Sequence, residues 1–114
     1  MPISTLKNLK LPNEKMANYI LTNKAVEDLS KIWDYTFEVW SEAQADRYYF
    51  MLLDSCQELA DEKVVGKNYP DIMPAVAGFK VGLHIIFYRK LKGNKIEIAR
   101  VLHSRMDLKN RMEE

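Results

Sequence analysis

Residues 24–60 read KAVEDLSKIWDYTFEVWSEAQADRYYFMLLDSCQELA, and this stretch decides the fold. In its first half, large apolar side chains recur at steps of three and four, which is the period of one face of an α-helix. They are Val26, Leu29, Ile32, Trp33, Phe37 and Trp40. Residues 41–44, Ser-Glu-Ala-Gln, have the form of a capping box and begin a second helix. Because so few residues separate the two helices, we predict a helical hairpin.

The second helix carries its own apolar stripe, made of Ala45, Tyr48, Tyr49, Leu52, Leu53, Cys56 and Leu59. Cys56 is the single cysteine of the chain. Because it lies within this stripe, we expect a small buried core residue and not a nucleophile. Trp40 and Tyr49 lie near the margins of their stripes, so these two aromatic side chains are predicted to reach the surface.

Strand-forming sequences flank the helical hairpin. Residues 19–21 are a short β-prone run that ends at Thr22, a residue type that favours the N-cap of a helix. Residues 64–78 contain two glycines and two prolines and are predicted to form a loop. Three β-rich runs follow, at residues 79–81, 84–89 and 96–103.

The last two runs and the turn between them complete the predicted fold. Residues 92–94, Lys-Gly-Asn, are predicted to form a hairpin turn with Gly or Asn at positive φ. In the last run the alternation of apolar and polar residues fails near Ala99 and Leu102, which indicates a bulge or burial of both faces. The order is β-α-α-β-β-β, an α+β fold in which the helical hairpin packs on an antiparallel sheet. The other face of the sheet is expected to be open.

Length and composition fit one domain. The chain has 114 residues, 47% of them hydrophobic and 29% charged, which is usual for a globular protein. Residues 1–15 contain two prolines and no sustained period, so we predict a disordered N-terminal extension and a domain over residues 16–114. The apolar runs are shorter than the roughly 20 residues that cross a membrane, and the N-terminus has no signal-peptide core. Together with the single cysteine, these features predict a cytoplasmic protein.

Charge is divided unequally between the two halves of the chain. Residues 24–62 contain three basic and ten acidic residues, whereas residues 63–112 contain eleven basic and three acidic residues. A split of this kind indicates an interaction surface. From Met16 onward there are 14 basic and 15 acidic residues. The predicted domain therefore lacks the basic excess of a protein that binds nucleic acid through phosphate contacts.

The sequence contains no motif of the common nucleotide-binding or zinc-dependent enzymes. The phosphate-binding loop, the dinucleotide fingerprint and the zincin pattern are all absent from it. Its two histidines and one cysteine lie on different predicted elements. We therefore predict no metal site and no cofactor.

Arginine and histidine side chains lie toward the end of the predicted sheet. Arg89 and Arg100 belong to neighbouring strands, where two guanidinium groups either clamp a phosphate or carboxylate or form salt bridges with Glu97 or Asp107. His84 follows apolar residues in a strand. It is either a structural histidine bonded to the backbone or a functional one.

The densest polar segment is at residues 100–107, which read RVLHSRMD. His103, Arg105 and Asp107 supply an imidazole, a guanidinium and a carboxylate, groups that can support acid–base cleavage of a phosphodiester. The sequence places no second histidine and no tyrosine beside them to complete an acid and base pair. In the alternative interpretation Asp107 caps a C-terminal turn and pairs with Arg105.

Six segments along most of the chain form a pattern when they are taken together: Tyr19-Ile-Leu-Thr, Ala25-Val-Glu-Asp-Leu, Ile32-Trp-Asp-Tyr-Thr, Gln44-Ala-Asp-Arg-Tyr, Gly82-Leu-His-Ile-Ile-Phe-Tyr-Arg and Val101-Leu-His-Ser-Arg-Met-Asp. This pattern resembles ParE toxins of the RelE/ParE superfamily. The resemblance extends from about Met16 to Asp107, in matching order. The β-α-α-β-β-β order of that superfamily also agrees with the order predicted from the residues.

The resemblance implies the toxin of a bacterial type II toxin–antitoxin system. Its partner would be a ParD-like antitoxin with an acidic segment that folds onto the toxin, and the basic second half is a suitable surface for it. Trp40 and Tyr49 are the candidates for the antitoxin groove. ParE members inhibit DNA gyrase and so block replication, whereas RelE members cleave mRNA on the ribosome. An inactive module that only binds antitoxin is the third alternative.

The near-neutral charge of the domain and its ParE-like ending favour inhibition of gyrase by binding, without catalysis. Because charge is concentrated at the end of an otherwise apolar sheet, we expect five residues to bind gyrase or another partner. They are Arg89, Arg100, His103, Arg105 and Asp107. Nucleic acid would be contacted only indirectly, through gyrase or the antitoxin.

Overall fold

The computed structural model of the chain describes residues 18–72, 75–106, 108 and 112. Its elements are β1 (Asn18–Leu21), α1 (Asn23–Val39), α2 (Glu42–Ala60), β2 (Lys67–Asn68), β3 (Ala77–Val81), β4 (His84–Lys90) and β5 (Lys95–His103). The predicted α+β class and the order β-α-α-β-β-β are confirmed. The two-residue strand β2 was not predicted and lies within the predicted loop. The predicted extension over residues 1–15 lies outside the described residues, so this domain boundary stays a prediction.

Both helices begin at the predicted caps. The Thr22 hydroxyl accepts a hydrogen bond from the Ala25 N–H at 3.0 Å. It also donates to the carbonyl of Ala99 on β5 at 2.8 Å, which ties the start of α1 to the sheet. The Ser41 hydroxyl accepts from the Gln44 N–H at 3.1 Å and so begins α2.

The sheet has the strand order β1-β5-β4-β3-β2. Strands β2 to β5 are antiparallel neighbours, an arrangement that was predicted for β3, β4 and β5. β1 instead pairs with β5 in parallel, so the sheet is mixed and not wholly antiparallel. The parallel pair is possible because the helical hairpin supplies the long connection that parallel neighbours need.

Two local predictions about β5 are confirmed. Gly93 has a φ of 73° in the turn before the strand. Phe87 pairs with Arg100 and Tyr88 pairs with Ile98, which leaves Ala99 as the extra residue of a bulge. Because of the extra residue, the alternation of side chains between the two faces of the sheet is shifted by one position in the last part of β5.

The main core lies between the helical hairpin and one face of the sheet. Its fully buried side chains include Leu29 of α1, Tyr49 and Leu52 of α2, and Ile86 and Ile98 of the sheet. Cys56 is buried among them, as predicted.

The predicted stripe of α1 is correct at its start and wrong at Phe37. Leu29 and Trp33 are buried, whereas Phe37 is 45% exposed and Trp40, which was predicted to reach the surface, is 71% exposed. The buried face of α1 includes Asp28 as well, a charged residue outside the predicted apolar stripe. The stripe therefore leaves the core in the last turn of the helix, where aromatic side chains face solvent.

The second face of the sheet is covered, so the expectation of an open face is wrong. Five buried residues form a second cluster there: Val76, Ile85, Phe87, Leu102 and Met112. Tyr69, Ile72, Met106 and Leu108 pack against this cluster. The physical reason is that β4 and β5 carry apolar residues on both faces, and residues of the loop before β3 and of the C-terminal segment bury the second set. Among the described residues, no helix has the length and apolar character needed to cross a membrane.

Candidate functional site

A groove of about 690 Å³ lies where α1, the start of α2, the β3–β4 turn and the end of β5 meet. Its lining includes a buried ion pair, two histidines, a tyrosine and exposed apolar side chains. The lining residues are Asp28, Lys31, Ile32, Tyr35, Thr36, Trp40, Gln44, Tyr48, Leu83, His84, Arg100, Val101, Leu102, His103, Arg105 and Met106. We call this site the groove.

The buried ion pair joins α1 to β5 at the base of the groove. Arg100 Nε donates to Oδ2 of Asp28 at 2.8 Å, and Arg100 Nη2 donates to Oδ1 at 3.0 Å. Asp28 Oδ2 also accepts the backbone N–H of Val101 at 3.0 Å. Each side chain of the pair is 9% exposed. This bidentate geometry satisfies the carboxylate fully and holds Arg100 against the helix.

A tyrosine from α2 organises the turn between β3 and β4. The Tyr48 hydroxyl accepts the backbone N–H of Leu83 at 3.0 Å. It lies 2.6 Å from Nδ1 of His84. The direction of this bond depends on the His84 tautomer, and since the oxygen already accepts from Leu83, we assign its own proton to the bond with His84, with Nδ1 as the acceptor. Gly82, with a φ of 57°, gives the turn the positive φ of a tight hairpin and leaves room for the Tyr48 ring.

The second histidine of the groove is held by its neighbour in sequence. The backbone N–H of Arg105 donates to Nδ1 of His103 at 3.1 Å. The rings of His84 and His103 meet edge to face, with their centroids 5.2 Å apart. Each imidazole therefore uses Nδ1 as an acceptor, so in the neutral form each carries its proton on Nε2.

His84 is neutral at physiological pH. Burial of the ring lowers the pKa of His84 to about 4, the nearby His103 lowers it further, and Asp28 opposes the shift. Burial likewise raises the pKa of Tyr48, so this hydroxyl keeps its proton. The hydrogen bond between Tyr48 and His84 thus joins two neutral groups, with the Tyr48 hydroxyl assigned as the donor.

The mouth of the groove is apolar and aromatic. Tyr35, Trp40 and Leu83 are 66%, 71% and 60% exposed, which is unusual for side chains of this size. Lys31 and Arg105 add positive charge to the same lining. Among the described residues, the one lining carboxylate is that of Asp28, which is in the ion pair with Arg100. The groove is therefore a positive, partly apolar site next to two acidic helices.

The predicted site residues separate into three groups. Arg100, His103 and Arg105 line the groove, although Arg100 is buried against Asp28 and not on an open sheet face. Arg89 does not line it, because this side chain forms an exposed ion pair with Glu97 at 2.7 Å, one of the two alternatives left by the sequence. Asp107 lies outside the described residues.

The two aromatic residues that were candidates for the antitoxin groove lie in different environments. Trp40 is exposed and lines the groove. Tyr49 is 1% exposed in the main core, so the expectation that it reaches the surface is wrong. Tyr49 lies next to Leu52 and Cys56 on the inner face of α2, and the face toward the groove is instead that of Tyr48.

Several groove residues were missed by the sequence reasoning. It found no second histidine and no tyrosine beside His103, yet the fold brings His84 and Tyr48 there. The antiparallel register supplies a signal for the first, since His84 pairs directly with His103 across β4 and β5. Asp28 also had a signal, because residues 25, 28, 29, 32 and 33 follow the helical period.

Metal binding has no support in the described part of the chain. There, no three His, Cys, Asp or Glu side chains cluster as a metal site requires.

Sequence comparison identifies the relatives of this chain. A family profile described as "ParE toxin of type II toxin-antitoxin system, parDE" matches residues 19–108. Toxin ParE1 of Mycobacterium tuberculosis is 33% identical over 92 residues, which are 81% of this chain and 94% of that protein. Toxin ParE of Escherichia coli is 33% identical over 97 residues, 85% of this chain and 94% of that protein.

A solved structure has the same fold. It is titled "Chromosomal ParDE TA system from P. aeruginosa" and superimposes with a TM-score of 0.62 at 21% identity, covering 75% of this chain and 94% of that one. The similarity to solved coordinates shows the fold, and the sequence matches show the family. The chain belongs to the ParE toxin family of type II toxin–antitoxin systems.

Proposed function

We propose that this toxin inhibits DNA gyrase by binding to it, blocks replication, and is neutralised by a ParD-like antitoxin. The observation that carries the proposal is the state of the two imidazoles in the groove. Both use Nδ1 as an acceptor, so in the neutral tautomer neither has a free lone pair with which to deprotonate a substrate. Asp28 is occupied by Arg100 and Val101. A site of this kind is suited to recognition more than to general base catalysis.

The distribution of charge supports the same proposal. Two of the predicted cationic residues are engaged in ion pairs, Arg89 with Glu97 and Arg100 with Asp28. From Met16 onward the chain has one more acidic than basic residue. A toxin that docks into ribosomal RNA needs a strongly basic surface, whereas one that binds a protein target does not. Gyrase is an intracellular enzyme, so the proposed site of action is the cytoplasm.

Neutralisation by an antitoxin is supported by the groove. In the part of the chain that the structure describes, its lining carries Lys31, Arg100 and Arg105 against the carboxylate of Asp28. An acidic amphipathic segment can place apolar side chains on Trp40 and carboxylates near these cations. In this proposal Trp40, His103 and Arg105 contact the partner, while Arg100 supports the site from beneath.

One observation favours the nuclease alternative. The fold assembles His84, His103 and Tyr48 in one groove, and imidazoles with a tyrosine are groups that cleave RNA in other enzymes. Ribosome-dependent mRNA cleavage is therefore the second candidate function.

One experiment separates the proposals. The full chain is induced alone in bacteria, and the incorporation of labelled thymidine and labelled methionine is followed over the first minutes. Gyrase inhibition predicts that DNA synthesis falls first while translation continues. The purified chain is then expected to inhibit supercoiling by gyrase, and added ParD-like antitoxin to restore it. An early loss of translation would favour the nuclease, and normal growth would favour an inactive binding module.

A further inference from the structure

Two hydrogen-bond donors in the groove have no partner within the described part of the chain. Nδ1 of His84 and Nδ1 of His103 are both engaged, and no described residue bonds to either Nε2 atom. Neither Nε2 belongs to the fully buried polar atoms that lack a partner among the described residues. Both atoms therefore reach solvent. The groove thus presents two N–H donors from rings whose centroids are 5.2 Å apart.

The Tyr48 hydroxyl determines which ring nitrogen of His84 carries the proton. It accepts from the Leu83 N–H, and with its own proton assigned to the bond with His84 Nδ1, His84 carries its proton on Nε2. The Arg105 N–H has the same effect on His103. The Tyr48 hydroxyl and the Arg105 backbone N–H thus leave Nε2–H as the donor of each imidazole ring. A ligand that bonds to this pair must be an acceptor.

The surroundings select the kind of acceptor. Lys31 and Arg105 add positive charge to the lining, and the one carboxylate that the described residues contribute to it is in an ion pair with Arg100. This favours an anion. Exposed Trp40 and Leu83 flank the same space, so the molecule that carries the anion has apolar groups beside it. A phosphate backbone is disfavoured, because the described helices next to the groove are acidic and the domain has no basic excess.

We propose that His84 and His103 form a carboxylate-binding subsite for an acidic side chain of the antitoxin, and that Tyr48 is its positioning residue. The proposal rests on the proposed function for the identity of the partner. The carboxylate accepts from the two Nε2–H groups while neighbouring apolar side chains of the same segment cover Trp40 and Leu83. Tyr48 does not contact the carboxylate, and acts by holding the tautomer of His84 and the position of the β3–β4 turn.

The first test needs no partner protein. Side-chain nitrogen NMR of the full chain at pH 7 reports the tautomer of each histidine. We expect His84 in the Nε2–H form in the wild type and in the control Tyr69→Phe, which removes a hydroxyl on the opposite face of the sheet. Tyr48→Phe is expected to give a mixture of tautomers. An unchanged His84 tautomer in Tyr48→Phe would overturn the positioning role.

The second test uses small probes on the same sample. N-acetylglutamate is expected to give saturable shifts of the His84 and His103 ring signals, and N-acetylglutamine is expected to give none. Equal shifts with inorganic phosphate would overturn the choice of a carboxylate in favour of any anion. The absence of shifts with all three probes would overturn the subsite.

The third test measures the affinity of the full chain for the antitoxin. Loss of one charge-assisted hydrogen bond weakens binding by about tenfold, which is the expected effect of Tyr48→Phe and of His103→Phe. His103→Gln keeps an N–H donor and is expected to recover part of the loss, while Tyr69→Phe binds as the wild type does. Wild-type affinity in both Phe variants would overturn the subsite but leave the proposed function standing. If the wild type binds N-acetylglutamate but no antitoxin, the proposed function fails and the subsite stands.

Discussion

At the scale of single residues, the ion pair between Asp28 and Arg100 is expected to dominate the stability of the groove. Asp28→Ala removes the carboxylate that two guanidinium nitrogens and the Val101 N–H share. Removing one partner of a buried pair typically costs about 3–5 kcal/mol. Urea unfolding of the variant is expected to show a loss of this size.

The exposed pair between Arg89 and Glu97 provides the matched control. Its arginine side chain is 52% exposed, and exposed pairs of this kind contribute less than about 1 kcal/mol. Glu97→Ala is therefore expected to change the free energy of unfolding only slightly. Equal losses in the two variants would contradict the assignment of Asp28 as a structural partner.

The neutral state of His84 makes stability depend on pH. The folded pKa of about 4 lies below the ordinary value of 6.5, so the unfolded chain takes up a proton that the folded chain does not. The stabilising contribution is complete above pH 6.5 and is lost as the pH falls toward 4. Because the ring is only partly buried, we expect a loss of roughly 1–2 kcal/mol.

The measurement is the free energy of unfolding between pH 7.5 and 4.5. His84→Asn keeps a polar acceptor on β4 but does not titrate, so its free energy is expected to fall less steeply than that of the wild type. Carboxylates titrate in both proteins and cancel in the difference. Parallel curves would show that His84 already protonates normally in the folded state.

Which residues could be assigned from the sequence depended on how local their interactions are. Thr22, Ser41, Gly93 and Cys56 were predicted correctly because a cap, a turn and a place in an apolar stripe are encoded within a few residues. The partner of Arg100 lies 72 positions away on another element, and no local pattern specifies it. Pairings that join distant elements were therefore the ones missed.

At the scale of elements, the end of α2 contains a strained residue. Glu62 has a φ of 61°, the left-handed conformation at the position where glycine usually ends a helix. The Glu62 N–H bonds to the Leu59 carbonyl, and the Lys63 N–H bonds to the Glu58 carbonyl, which is the complete Schellman pattern. The motif requires the left-handed residue, and a side chain there is unfavourable.

Glu62→Gly is accordingly expected to stabilise the protein by about 0.5–1 kcal/mol, measured by thermal unfolding. The variant also loses the contact of Glu62 with Lys90 at 3.5 Å, but both side chains are about 70% exposed and the contact contributes little. Glu62→Ala serves as the control because it removes the carboxylate and keeps the strain. A gain of equal size in the alanine variant would assign the effect to charge and not to conformation.

The helices and strands themselves were predicted better than the surfaces they present. Steps of three and four predicted α1 correctly, but the stripe cannot show where the helix extends past the sheet, so Phe37 was assigned to the core although it is 45% exposed. Tyr48 and Tyr49 were adjacent in the same stripe, and only packing distinguished the groove side from the core side. The covered second face depends on residues from the loop before β3 and from the C-terminal segment, which have no periodic pattern.

At the scale of the whole molecule, the fold brings members of both predicted sets of functional residues into one place. Trp40 comes from the end of α1, whereas His103 and Arg105 come from the end of β5, and all three line the groove. The acidic helices and the more basic second half also meet there. A single surface therefore combines the apolar and the charged features that a protein partner can recognise.

This convergence predicts that Trp40→Ala affects binding far more than folding. A side chain that is 71% exposed contributes little to the core, so we expect the melting temperature to stay within about 2 °C of the wild type. A central aromatic anchor of an interface typically contributes 2 kcal/mol or more, so antitoxin affinity is expected to fall by at least about 30-fold. Val65→Ala is the control, because Val65 is 77% exposed and does not line the groove.

Affinity is best measured at two salt concentrations, because the groove combines apolar and charged contacts. Arg105→Ala is expected to weaken antitoxin binding and to reduce its dependence on salt, whereas Trp40→Ala weakens binding without changing that dependence. If Trp40→Ala binds antitoxin like Val65→Ala, the groove is not the antitoxin surface, and the exposed aromatic residues at the end of α1 must serve another contact. Such a result would also separate the antitoxin surface from His103 and Arg105, which line the groove as well.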